Sequence, residues 1–295
     1  MRKVFVKLMG GLGNQMFQYA AAKRICSELK KQHSIVFDTN FLEDRTTGVV
    51  YRNFELSMFL PESCYTIDNS ANQSQGKIVI SDANILFILS NEAAKNAIMS
   101  DSRDIYLDGY FQFYSLVEDE MKNVFCISEY SSIETKDFFE SNVTNSSLMI
   151  NVRRADYVSR ESARKFHGFL DARYINAALA KFTEDEIDKI FIFSDEPDWC
   201  KTHLNLKKSF VVSHEYAGDK FQDYFSMMSK FSNLVIPNST FAWWAAWVSQ
   251  RRGFAKKIVA PGKSLWYVDN QEKARLIVPS DWIQIESNDI KETEE

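Results

Sequence analysis

Two arginines and an aspartate stand in the run Asn151-Val152-Arg153-Arg154-Ala155-Asp156-Tyr157, directly after the apolar segment SLMI. A planar guanidinium grips phosphate oxygens through paired hydrogen bonds and can neutralise a departing diphosphate without a metal. SLMI reads as a strand, and the carboxyl end of a strand is where open α/β sheets hold their ligands. The same run also reads as an exposed Arg–Asp pair, a common and energetically modest feature. Asp156 is open between two roles, a base or the anchor of one arginine.

A second anion site is suggested by Lys3 to Lys31, which passes from an apolar strand through Gly10, Gly11 and Gly13 into a helix. Glycines there let the backbone turn sharply and aim N–H groups at a ligand, and the helix start adds the positive end of its dipole. A tight strand-to-helix turn with no ligand is the competing reading. Asn14 and Gln15 weigh against it, since their amides add donors and acceptors where loop meets helix. Two nucleotide motifs fail to match. No Lys-Ser or Lys-Thr follows the glycines, as a P-loop requires, and Met16 occupies the third glycine position of the dinucleotide fingerprint, although Asp38 lies where a ribose-binding acid would.

Three further groupings could carry chemistry. In Pro237-Asn238-Ser239-Thr240-Phe241-Ala242-Trp243-Trp244-Ala245-Ala246-Trp247 a strand ends and a helix begins, with Ser239 and Thr240 as N-caps able to close on a phosphate. Its tryptophans alternate with alanines at helical spacing and read as core. His167 beside Gly168 could touch a sugar or a base, or be structural. The acids of Ser194-Asp195-Glu196-Pro197-Asp198-Trp199 suggest a metal site, but Ser or Asp before Pro is ordinary helix-start chemistry, and that reading is preferred.

Positioning these residues requires alternating strands and helices. KVFVKLM, a helix through Leu29 and SIVFDTN open as βαβ; residues 41–84 loosen into polar and aromatic turns; and SLMI, KIFIFSD, SFVVS, NLVIP and KKIVAP alternate with helices in the second half. Runs such as FIF, FVV and LVI are continuously apolar, as expected for parallel strands covered on both faces. At 295 residues this pattern predicts two domains of about 150 residues each. The polar stretch ESNVTNSS sets the boundary, giving domains over 1–142 and 143–285, and the acidic end 286–295 reads as a disordered tail. A net charge of −5 argues against nucleic acid as a partner. Cysteines 26, 64, 126 and 200 share no short spacing and are expected as reduced core thiols rather than zinc ligands or disulfides. No run approaches 18 consecutive apolar residues, and Met1 leads into a strand instead of an export signal, so a cytoplasmic location is expected. The Asn-x-Ser/Thr triplets at Asn72, Asn142, Asn145 and Asn238 are then chance occurrences.

The ordered set GGLGNQMFQYA, GYFQ (109–112), VRRADY (152–157), HG (167–168), FSDEPDW (193–199) and PNSTFAWWAAW resembles the bacterial α-1,2-fucosyltransferases of glycosyltransferase family 11, from residue 4 to about residue 285. The resemblance implies an α/β fold of two Rossmann-like domains facing across a cleft, GT-B-like, with the donor held mostly by the C-terminal domain and the acceptor by the N-terminal one. It implies transfer of L-fucose from GDP-β-L-fucose, with inversion and no metal or other cofactor, to O2 of a galactose in an oligosaccharide or lipid-linked glycan such as O-antigen. The enzyme would work in the cytoplasm at the inner face of the membrane, with at most peripheral membrane association. Matched residue by residue, Arg153 and Asp156 become the catalytic candidates. Gly11, Asn14, Gln15, Arg153, Arg154, His167, Asn238, Ser239 and Thr240 become the GDP-fucose contacts. Asn151 and Ala155 depart from the family's usual His and Gly. Two other classes stay open: a nicotinamide-dependent oxidoreductase using Gly11, Gly13 and Asp38, and a catalytically degenerate glycan-binding homologue.

Overall fold

The computed structural model describes residues 2–30, 33–43, 52–70, 74–127, 129–154, 170–204, 206–267 and 271–290. They form two compact units, Met1–Val124 and Phe125–Glu295. The first carries five strands, β1 (Arg2–Lys7), β2 (His33–Asp38), β3 (Thr66–Ile67), β4 (Ile78–Ser81) and β5 (Ile105–Asp108), in the order β3-β2-β1-β5-β4. The second carries β6 (Leu148–Val152), β7 (Ile190–Ser194), β8 (Ser209–Val211), β9 (Asn233–Val235), β10 (Lys257–Pro261) and β11 (Ile283–Ile285), in the order β11-β10-β9-β6-β7-β8. Every assigned strand pair is parallel. Parallel neighbours need crossover connections, which here include the helices Leu12–Glu28, Ala172–Leu179, Pro197–His203 and Thr240–Arg251. The second sheet has the strand order of a doubly wound dinucleotide fold, so the chain is α/β with Rossmann-like units.

Continuous apolar strands sit where both faces are covered. All of β7 and all of β9 are buried. Trp243, Trp244 and Trp247 are core residues, and Trp243 Nε1 donates to the Ile277 carbonyl at 2.8 Å. No described helix is long and apolar enough to cross a membrane.

Several expectations are corrected. The units divide at Val124/Phe125, earlier than ESNVTNSS suggests. The cause is packing: the helix Ile133–Asn142 sets Phe138 against Phe191 and Phe210, and Phe139 against Phe231. Just before it, the Ser131 amide donates to the buried Asp223 carboxylate at 3.1 Å. Residues 41–84 contain β3 and β4, and β11 follows KKIVAP, the last of the strands read from the apolar pattern. Glu286–Ile290 are ordered: the Glu286 carboxylate accepts from the amides of Lys263 and Ser264 at 3.2 and 2.9 Å, and Ser287–Asp289 form a capped 3₁₀ turn. The remainder of the expected tail, 291–295, lies outside the described residues. All four cysteines are free, but only Cys200 is a core thiol: Cys26 and Cys126 are half-buried and Cys64 is exposed.

A fragment of residues 125–295 should therefore unfold in one cooperative transition. A fragment of residues 143–295, stripped of the Phe138 and Phe139 contacts and of Ser131, should not, and thermal melts followed by circular dichroism check the pair.

Candidate active site

Within the second unit, winding reverses between β6 and β9: the chain runs from β6 out to β7 and β8, then returns to β9, β10 and β11 on the other side. Ligands of open α/β sheets lie outside the carboxyl ends of the strands at such a reversal. Register aligns Ile150 of β6 with Val235 of β9. The segments leaving these strands, Arg153–Arg154 and Pro237–Thr240, therefore flank the reversal from its two sides.

On its other side β6 pairs with β7 so that Val152 stands opposite Ser194. The next residues of each strand are two arginines and two acids, and they combine. Arg153 Nη1 pairs with Asp195 Oδ2 at 2.7 Å, and the Arg154 backbone N–H donates to Asp195 Oδ1 at 3.0 Å. Arg154 Nε donates to Glu196 Oε2 at 3.0 Å while its guanidinium lies 3.5 Å from the centre of the Trp199 ring, which in turn stacks on His203. The two arginines thus differ. The Arg154 side chain is 10% exposed, fixed by an acid and an aromatic face; that of Arg153 is 27% exposed. Asn151 donates across the sheet to the Phe193 carbonyl at 3.0 Å, a neutral bond that ties the two strands together.

The helix-start reading of FSDEPDW holds only in part. Pro197 opens the helix Pro197–His203 and the Ser194 hydroxyl accepts from the Glu196 amide, yet Glu196 at the N-cap makes no side-chain cap bond. Asp195 and Glu196 serve the arginines instead. Sequence reading missed this partnership; the signal was that VRR and SDE each end an apolar run.

After β9, Asn238 and Ser239 are buried and Thr240 is half-buried at the start of the helix Thr240–Arg251. Asn238 Nδ2 donates to the Leu265 carbonyl at 3.4 Å. Ser239 is the N-cap, as expected, but without a side-chain cap bond. Its backbone N–H donates instead to the Pro237 carbonyl at 2.8 Å.

In the first unit β1 is central, between β2 and β5, but the steps from β1 to β2 to β3 and from β4 to β5 run in the same direction, so the winding does not reverse there. Gly10 is in the left-handed region at φ 74°, and Gly11 is the N-cap of Leu12–Glu28, again with no side-chain cap bond. Gln15 was expected as a substrate contact. It is fully buried, and its amide donates to the carbonyls of Gly10 and Asn53 at 3.0 and 2.8 Å while accepting from the Glu55 amide at 3.0 Å. A buried carboxamide needs partners for both ends, and these give Gln15 a framework role. Asn14 is half-buried and accepts from Gln112 Nε2 at 2.7 Å. Asp38, the ribose acid of the oxidoreductase reading, is also engaged: Oδ2 accepts from the Tyr106 hydroxyl at 2.8 Å and Oδ1 from the Asn40 amide at 3.1 Å. Burial and that carboxylate push the Tyr106 hydroxyl pKa up. Ala155, Asp156, Tyr157, His167 and Gly168 lie outside the described residues.

Comparison with known proteins identifies the family. The family model for glycosyl transferase family 11 matches residues 5–286. The O-antigen biosynthesis glycosyltransferase WbnK of Escherichia coli is 30% identical, with 94% of this chain and 99% of that protein covered. An alpha-1,2-colitosyltransferase of Escherichia coli is 24% identical, covering 96% and 99%. Galactoside alpha-(1,2)-fucosyltransferase 2 of Oryctolagus cuniculus is 24% identical, covering 62% of this chain and 54% of that protein. A match spanning nearly the whole chain makes the chain a member of glycosyltransferase family 11.

Proposed function

We propose that this glycosyltransferase moves L-fucose from GDP-β-L-fucose to O2 of a galactose in a surface glycan of the O-antigen type, with inversion at the anomeric carbon and no metal. The observation that carries the reading is Arg153, a partly exposed guanidinium at the end of β6, beside the winding reversal and oriented by Asp195. The names of the relatives support the sugar, the linkage and the glycan class.

In a single in-line displacement the acceptor hydroxyl attacks as the C1–O bond to GDP breaks, and negative charge grows on the departing diphosphate. Arg153 is the group for that charge. A guanidinium has five N–H donors in a fork, so a carboxylate on Nη1 can aim it while the fork meets phosphate oxygens. Pre-aimed charge of this kind acts in the transition state because no reorganisation is needed when the bond breaks. Arg154, locked between Glu196 and Trp199, holds the backbone from which Arg153 projects. Ser239 and Thr240 would bring the N-terminal amides of their helix to the same diphosphate. Asp156 is assigned the acceptor proton, and His167 a contact to donor or acceptor.

The colitosyltransferase relative supports a second donor of the same kind, GDP-colitose, since both reactions release GDP. An assay of GDP release with EDTA present, offering either donor with a panel of β-galactosides and locating the new linkage by NMR, decides among these. Acceptor-dependent release with fucose on galactose O2 is the expected result; release from GDP-colitose alone would transfer the assignment to that sugar, and absence of GDP binding would remove it.

Arg153→Ala should lower kcat/KM by about 10²–10³-fold with an unchanged melting temperature. Arg154→Ala should instead destabilise the fold by about 1–3 kcal/mol, through the lost Trp199 stack and the Glu196 bond, as read by chemical denaturation. Asp156→Asn should slow transfer by about 10²–10⁴-fold if Asp156 is the base; near-normal turnover would make it an arginine anchor or a bystander.

A further inference from the structure

The turn after β5 is strained, and its strain is directed at Asn14. Phe111 is fully buried with φ at 52°, in a left-handed region that a residue with a bulky ring seldom adopts. Such backbone persists only where its surroundings over-determine it. Here the Asp82 carboxylate accepts from the Phe111 amide at 2.6 Å and from the Tyr110 amide at 3.3 Å. The Phe113 amide closes the turn on the Phe111 carbonyl at 2.7 Å. Gly109 makes room for the carboxylate, since a Cβ there would come within 2.9 Å of Asp82 Oδ1. Buried Gln18 then ties the exits of β1 and β5 together, accepting from the Met9 amide at 3.1 Å and donating to the Gly109 carbonyl at 3.2 Å.

The product of these constraints is one bond. Gln112, 6% exposed, is turned back so that Nε2 donates to Asn14 Oδ1 at 2.7 Å. The other end of the Asn14 amide lies over Gly10, where a Cβ would collide with Nδ2. Asn14 is therefore held on one side by a directed hydrogen bond and on the other by a bare backbone, at the first turn of the helix Leu12–Glu28, which follows the central strand β1.

We propose that Gln112 is a positioning residue for sugar transfer, setting the orientation in which the Asn14 carboxamide meets a sugar hydroxyl of the substrates. The inference rests on the reading that the N-terminal glycine loop binds substrate. A carboxamide presents a donor at one end and an acceptor at the other, and a 180° turn exchanges them, so which end faces a ligand must be fixed by a neighbour. Gln112 fixes it by donating.

Transfer kinetics, GDP affinity and melting temperature should be measured for Asn14→Ala, Gln112→Met, Gln112→Glu and the double variant Asn14→Ala/Gln112→Met. Met keeps the length of the side chain without a donor; Glu keeps its shape but only accepts. Both Gln112 variants should lose roughly three- to tenfold in kcat/KM, the value of one hydrogen bond, with GDP affinity unchanged; Gln112→Met should keep the melting temperature, whereas Gln112→Glu, which buries a carboxylate, should lower it. The double variant should be no slower than Asn14→Ala, because a residue acting through another has nothing left to position. Full activity of Gln112→Met beside an impaired Asn14→Ala would overturn the inference while sparing the loop reading. So would losses that multiply in the double variant, or a loss in Gln112→Met that tracks a lower melting temperature. Full activity of Asn14→Ala would overturn both.

Discussion

The second unit depends on the register of β6. Leu148, Met149 and Ile150 are fully buried, and β6 is paired on both sides, with β7 and with β9. In a strand a slip of one residue turns every side chain to the opposite face, so a doubly paired and doubly covered strand has no alternative alignment. That single alignment places Arg153 and Arg154 beside Asp195 and Glu196 on one side, and beside the loop that leaves β9 on the other. The charge arrangement is thus a consequence of apolar packing several residues away.

The two units use different chemistry at the carboxyl ends of their central strands. In the second, adjacent arginines are kept together by two acids and a tryptophan ring, and one carboxylate, Asp195, holds both a backbone N–H and a guanidinium. In the first, the exits of β1 and β5 are framed largely by neutral amides: Gln15, Gln18, Gln112 and Asn14 bond to backbone or to one another. Ionic groups suit a ligand that gains charge during reaction, since their interaction strengthens as the charge grows. Neutral amides discriminate by direction rather than by charge, which suits hydroxyl-bearing ligands.

Much of this was legible in the sequence. The glycine-to-helix turn, the arginines after SLMI, the loop PNST and the buried tryptophans all fall where pattern and residue type put them, because long apolar periods and glycine turns are local signals. The rest is non-local. Gln15 resembles a ligand-binding amide in one dimension, and only the return of Asn53 and Glu55 to its side makes it a framework residue. Asp195 and Glu196 look like helix-start acids because capping and ion pairing draw on the same residue types; their arginine partners are 41 and 42 residues away in sequence. β3 has two residues and β11 three, too short for an alternating pattern to register.

The clasp made by Glu286 bears on how the protein is synthesised. Every strand of the first unit is complete by Asp108, so that unit can fold early as the chain emerges. The second unit is different: β10 has an unpaired apolar edge until β11 is made, and the turn after β10 lacks its carboxylate until residue 286. Through that interval the nascent chain carries an open sheet edge of the kind that recruits other strands. Slow synthesis of the stretch between β10 and residue 286 would thus favour aggregation, and chaperone capture of this edge would be of most use over that interval.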